Sequence, residues 1–268
     1  MTGLPRLVAT DMDGTLVRSD HTVSAYSHQV LRRLTESGVP VVGVTGRGPR
    51  LRQITARDLP MARYLVCAQG AYVLDVAADV ALSVMRLPAE VARDAVKLLE
   101  DEVGPVLVTV EAGEEVDAPL HGELGFSWPF PERWQESTRD AALRGDLLKV
   151  FVKKPGWEPD AFLAVARRVI PLELCDVTYS GLGFLEICPS GVTKAVGLAE
   201  VAERLGFTAP DVLAFGDMPN DVPMLTWAGQ GVAVANAHPE VLAVADGVTL
   251  SNDEDGVARY VERLLNGR

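Results

Sequence analysis

At 268 residues, 48% hydrophobic and 23% charged, the chain is long enough for an α/β core plus a smaller second module and too apolar for extended disorder. A net charge of -12 leaves no basic surplus to neutralise a phosphate backbone or an anionic membrane, which argues against nucleic acid and lipid and for small-molecule partners. Cys67, Cys175 and Cys188 are odd in number and scattered through apolar stretches, the pattern of buried reduced thiols rather than of a disulfide framework or a CxxC metal site. With no secretory h-region and no apolar run near the ~18 residues of a membrane span, the expected home is the cytoplasm.

The N-terminal run LVATDMDGTL reads as a buried strand that delivers carboxylates to a sheet edge. In an extended backbone, side chains two apart leave on the same side, so Asp11 and Asp13 are expected to share one pocket, with Gly14 permitting the sharp exit. That arrangement suits metal and phosphate chemistry. Apolar residues at helical spacing then predict a helix over 24–36, capped by Thr22 or Ser24 and stopped by Gly38. Residues 39–44 are nearly all apolar, as in a parallel strand covered on both faces, and end in Thr45-Gly46-Arg47, a second polar group at a strand's carboxyl end. A helix over 51–58 and a strand over 64–68 follow, running into Gln69-Gly70-Ala71.

From about residue 72 to 184 the pattern changes to alternating segments (72–76, 81–87, 106–110, 148–152, 174–179) around two amphipathic helices, 89–102 and 159–169. This predicts a separate α/β module with an antiparallel sheet, its boundaries near residues 83 and 184. The acids between Glu100 and Asp117 read as a solvated face, and Phe126, Trp128, Phe130 and Trp134 as packing within the module.

Residues 184–188 are expected to return the chain to the core. There follows a helix opening near Lys194 and closed by Gly206. A lysine in the first helical turn opposes the helix dipole, a violation expected where function overrides propensity. Residues 212–215 form another buried strand, and Gly216-Asp217-Met218-Pro219-Asn220-Asp221 follows at once. Asp217 could simply cap a helix beginning at Pro219, yet Asn220 and Asp221 would crowd the same strand end. Strands over 231–235 and 248–250 and a helix over 256–265 complete the chain.

DMDGTL, the threonine of Thr45-Gly46, Lys194 in a first turn and GDMPND, in that order, resemble the four signatures of the haloacid dehalogenase superfamily in its phosphohydrolase form. The module inserted between the second and third signatures resembles the large α/β cap of the Cof-type branch, from whose usual Asn-Gly-Ala the chain departs at Gln69. The resemblance implies a doubly wound, Rossmann-like parallel-sheet core over 1–82 and 185–268, with the catalytic strand at the topological switch point, and an inserted cap over 83–184 that closes over the leaving group and sets specificity.

It also implies a phosphatase acting on sugar phosphates or similar small monoesters. Asp11 would be the nucleophile that forms an aspartyl-phosphate, and Asp13 the general acid and base. Met12, Thr45, Gly46, Lys194 and Asn220 would bind the phosphoryl oxygens, and Asp11, Asp13, Asp217 and Asp221 the metal, Asp13 through its backbone carbonyl and Asp221 by orienting a metal-bound water. So many converging carboxylates need a cation, and oxygen donors with no histidine or cysteine nearby favour Mg2+. The second aspartate separates a phosphatase from a dehalogenase, which has no leaving alkoxide to protonate. Two alternatives stand beside this one: a phosphotransferase or phosphomutase on hexose phosphates, and a catalytically silent metal- or ligand-binding homologue.

Overall fold

The computed structural model describes residues 4–113, 116–128 and 134–267. The chain divides into two compact units, the first comprising Met1–Arg47, Leu51–Ser83 and Thr193–Arg268, the second Gly48–Arg50 and Val84–Val192.

In chain order the first unit opens with β1 (Leu7–Asp11), α1 (Ala25–Glu36), β2 (Val41–Val44), α2 (Arg52–Asp58), β3 (Tyr64–Cys67), β4 (Tyr72–Asp75) and β5 (Val80–Val84). The second unit supplies α3 (Ala89–Val103), β6 (Leu107–Ala112), β7 (Leu120–Gly122), β8 (Trp134–Glu136), α4 (Arg139–Ala142), β9 (Leu147–Lys153), α5 (Pro159–Val169), β10 (Cys175–Tyr179) and β11 (Leu185–Pro189). The first unit closes with α6 (Lys194–Arg204), β12 (Val212–Gly216), α7 (Val222–Trp227), β13 (Gln230–Ala233), α8 (Pro239–Val244), β14 (Gly247–Val248) and α9 (Gly256–Leu265).

The first unit is built on one sheet in the order β14-β13-β12-β1-β2-β3-β4-β5, parallel from β14 to β3. Residues of β1, β2 and β12 are buried throughout, as their unbroken apolar runs require when both faces of a sheet are covered. β1 lies between β12 and β2, so the chain winds away from it in both directions and its carboxyl end opens at the switch point of the doubly wound α/β fold. Of the two caps expected for α1, Ser24 serves, accepting from the Ser27 N–H, and Thr193 caps α6 by accepting from the Val196 N–H. The alternating segment that begins at residue 72 lies before the boundary expected near residue 83 and pairs within the first sheet. Residues 72–75 return antiparallel on β3, and β5 extends the same sheet, because a short turn lets a strand pair with its predecessor more readily than start a new layer.

The second unit holds a sheet in the order β10-β11-β9-β6-β7-β8, antiparallel except where β7 and β8 run parallel. Residues 184–188, expected in the core, belong here: β11 pairs with β10 and β9. Its alternation is the reason. Leu185 and Ile187 join the apolar cluster formed with α3 and α5, while Glu186 turns to the opposite face and forms a buried ion pair with Lys149 at 2.6 Å. On that opposite face Phe126, Phe151, Phe184 and Leu120 pack with Trp128 and Trp134, the role expected of the aromatics. Phe130 lies outside the described residues. The acidic stretch is not a plain solvated face. Glu100 pairs with Arg139 and Glu102 with Arg168, and Glu111 is buried 3.4 Å from Arg50, while Glu114 and Glu115 lie outside the described residues. The cysteines are free and buried, as expected.

Candidate active site

The groups expected in the site sit at the carboxyl ends of β1, β2 and β12 or on the first turn of α6. Asp11 ends β1, in register with Val44 of β2, and Thr45 follows Val44 directly. On the other side, Phe215 of β12 pairs with Thr10, which brings Asp217 alongside. Carboxylate oxygens of Asp11, Asp217 and Asp221 lie within 4.8 Å of one another, all buried. Lys194 reaches into the same place, its Nζ donating to Asp11 Oδ1 at 2.5 Å and to Asp221 Oδ1 at 2.6 Å. Its side chain is wholly buried, which accounts for a lysine at a position where the helix dipole disfavours it.

The electrostatics follow from burial. The Asp11 carboxyl is pushed up to about 7, chiefly by desolvation, with Lys194 pulling it down and Asp221 adding to the rise. Asp217 is raised well above the usual carboxylate range by burial and then by Asp11 and Asp221, although Thr15 Oγ1 donates to its Oδ1 at 2.8 Å. For Lys194 burial opposes the charge, yet the charges and hydrogen bonds of Asp11 and Asp221 prevail and its pKa is raised. One lysine thus compensates a cluster that carries three carboxylates. The donor set is all oxygen and hard, with no sulfur or imidazole, so the residues fit a small divalent cation such as Mg2+.

The individual residues divide by placement. Asp221 is fastened as well as charged: its Oδ2 accepts from the backbone N–H groups of Asp217 and Met218, both at 3.0 Å, so it fixes the loop that presents Asp217. Asp217 itself does not cap a helix at Pro219; residues 219–221 form a 3-10 turn ahead of α7. Thr45 is fully buried, and its hydroxyl accepts from the Arg47 N–H at 3.0 Å. The Met12 carbonyl takes the N–H groups of Thr15, Leu16 and Val17, curling the chain sharply after β1. Gly14, at φ +85°, has no room for a side chain, since a Cβ there would lie 2.4 Å from Asp217 Oδ2. Asn220 donates from Nδ2 to Gln69 Oε1 at 3.1 Å, which leaves its Oδ1 as a buried oxygen without a hydrogen bond.

Asp13 does not join the carboxylate cluster with its side chain. β1 ends at Asp11, so strand alternation stops two residues short of it. The Asp13 carboxylate is held instead by Arg47, whose Nε and Nη2 donate to its two oxygens at 2.8 and 2.6 Å. Arg47 and Thr15 were not expected in the site, whereas Gln69 was singled out as a departure. Arg47 had a signal in its place directly after Thr45-Gly46, and Thr15 in its place after Gly14, but neither signal says which acid is taken. Gln69 meets Asn220 from a left-handed backbone, φ 61°.

Comparison with known proteins gives the family and the fold. A family model described as haloacid dehalogenase-like hydrolase matches residues 8–261. Among curated proteins, the 5-amino-6-(5-phospho-D-ribitylamino)uracil phosphatase YcsE of Bacillus subtilis is 30% identical over 97% of this chain and 96% of its own. Among solved structures, a haloacid dehalogenase-like hydrolase from Bacteroides thetaiotaomicron is 26% identical with a TM-score of 0.75, covering 97% of this chain and 99% of that one. The sugar phosphatase BT4131, of subclass IIB, superposes with a TM-score of 0.80 at 20% identity, over 98% of this chain and 100% of that one, and supports the fold.

Proposed function

Since the chain belongs to the haloacid dehalogenase-like hydrolases, as a phosphatase of their Cof type acting on small phosphate esters, we propose that it hydrolyses sugar phosphates or similar monoesters through an aspartyl-phosphate on Asp11. The observation that carries this reading is the meeting of Asp11, Asp217, Asp221 and Lys194 at one edge of the sheet. Asp11, Asp217 and the backbone carbonyl of Asp13 would hold Mg2+, with Asp221 behind them. The ion supplies positive charge that keeps Asp11 ionised and balances the phosphate.

Asp11 attacks phosphorus: its oxygen bonds to phosphorus while the ester P–O bond breaks, and Asp13 gives its proton to the leaving oxygen. Asp13 then takes a proton from water as the water oxygen bonds to phosphorus and the Asp11 carboxylate is released. Lys194, the Thr45 hydroxyl, the amides of Met12 and Gly46, and Asn220 bind the equatorial oxygens, where charge is spread in the transition state. We assign the choice of leaving group to the inserted unit. YcsE, by its name, acts on a phosphorylated ribityl chain, so polyol and sugar phosphates are the first candidates.

The test is phosphate release from a panel of phosphorylated metabolites, with Mg2+ and again with EDTA. Activity that needs Mg2+ and is lost in Asp11→Asn, with the fold retained, supports the reading. Wild-type turnover by that variant refutes the nucleophile, and isomerisation of a hexose phosphate without phosphate release would mark phosphotransfer instead.

A further inference from the structure

Arg47 meets two acids on different elements. Its Nε and Nη2 close a two-pronged pair with Asp13, and its remaining nitrogen, Nη1, donates to Asp58 Oδ2 at 2.7 Å. The exposures of the three side chains are graded: Asp58 at the end of α2 is 10% exposed, Arg47 13%, and Asp13 51%. Asp58 is thus the buried anchor and Asp13 the open end. The anchor is itself fixed, because α2 ends there and His28 Nε2 bonds to the Asp58 carbonyl at 2.9 Å. The arginine backbone is held as well, its N–H on Thr45 Oγ1 and its carbonyl on the Ala68 N–H.

A guanidinium is rigid and planar, so fixing one prong fixes the direction of the other two. A half-exposed aspartate without such a partner would sample several rotamers; clamped by both oxygens it keeps one position, while each oxygen retains a lone pair for proton transfer. We propose that Asp58 is a positioning residue: it aims Arg47, and Arg47 in turn holds the Asp13 carboxylate where it serves as acid and base. This rests on the phosphatase reading above. The buried carboxylate at the end of α2, outside every signature, then bears on turnover without touching substrate.

The two halves of the reaction use Asp13 differently, and this gives the test. An alkoxide must receive the Asp13 proton to leave, whereas p-nitrophenolate leaves as the anion. Breakdown of the aspartyl-phosphate needs Asp13 as base for either substrate. Asp58→Ala is therefore expected to lower kcat for glycerol phosphate about 10- to 100-fold with KM nearly unchanged. With p-nitrophenyl phosphate, rapid mixing should show a burst of about one nitrophenolate per enzyme followed by slow turnover. Asp58→Asn, which keeps an oxygen acceptor for Arg47, should recover most of the rate. Should Asp58→Ala fail to fold, Arg47→Lys keeps the cation, loses the fork, and carries the same expectation. Equal losses on both substrates without a burst, or no loss, overturn the proposal. A wild-type enzyme inert on both substrates overturns the phosphatase reading, and this inference with it.

Discussion

Lys194→Met removes the charge that the buried Asp11 and Asp221 share and keeps the shape of the side chain. In the wild type Nζ lies 2.5 Å from Asp11 and 2.6 Å from Asp221, with the three side chains 0–6% exposed, so water cannot stand in for the ammonium. Taking one partner from a buried ionic group costs about 3–5 kcal/mol, a large part of the roughly 5–15 kcal/mol that holds a typical domain together. The cost is set by ionised carboxylates, so it depends on pH. The folded pKa of Asp11 lies above its unfolded value of 3.8, at about 7, and losing Lys194 removes the positive charge that holds it down. A raised folded pKa contributes stability that is fully present below 3.8 and is lost as pH rises through the folded value. In urea unfolding with EDTA, the variant should therefore have a clearly lower midpoint than wild type at pH 8. The gap should narrow at pH 5, where Asp11 takes up a proton. Added Mg2+ should restore part of the loss at pH 8. Equal midpoints at pH 8, or a gap that widens on acidification, would refute the reasoning, because Lys194 would then not be neutralising Asp11 and Asp221.

The metal-free wild type should show the same sign: between pH 5 and 8 in EDTA its melting temperature falls as pH rises, and Mg2+ flattens that slope, which calorimetry with and without the ion measures. Gly197→Ala inverts an ordinary rule. Alanine favours a helix by roughly 1 kcal/mol, yet here its Cβ would lie 2.4 Å from Val66 Cγ1 and 3.1 Å from the Gly70 Cα, so a net loss of about 1–3 kcal/mol is expected in denaturant titration. Gly70→Ala should cost at least as much, since its φ is +107° and the new Cβ would sit 2.1 Å from the Thr193 carbonyl oxygen, next to Lys194. Thr15→Val leaves the buried Asp217 Oδ1 without its hydroxyl donor and should weaken Mg2+ affinity about tenfold by isothermal titration, the fold being kept.

What the residues alone determined is the strand-end chemistry. Apolar runs that stop abruptly at acids, at Thr45 and at Gly216-Asp217 are legible because a parallel strand covered on both faces tolerates nothing polar until it leaves the sheet. The first-turn lysine was legible for the opposite reason, since it breaks a local electrostatic rule that only a buried acid partner repays. Tertiary structure decided what local pattern could not. β4 and β5 joined the first sheet and β11 the second because strand pairing is a choice among partners distant in sequence, and alternation is the same in either sheet. It decided, too, that Asp13 turns from the carboxylate cluster to Arg47, because β1 ends at Asp11 and beyond it the backbone curls out of the strand's period-two rule. The anchor at Asp58 carries no sequence signal at all: an acid at the end of a short helix is ordinary, and only the folding of α2 beside the Thr45 loop gives it an arginine to hold.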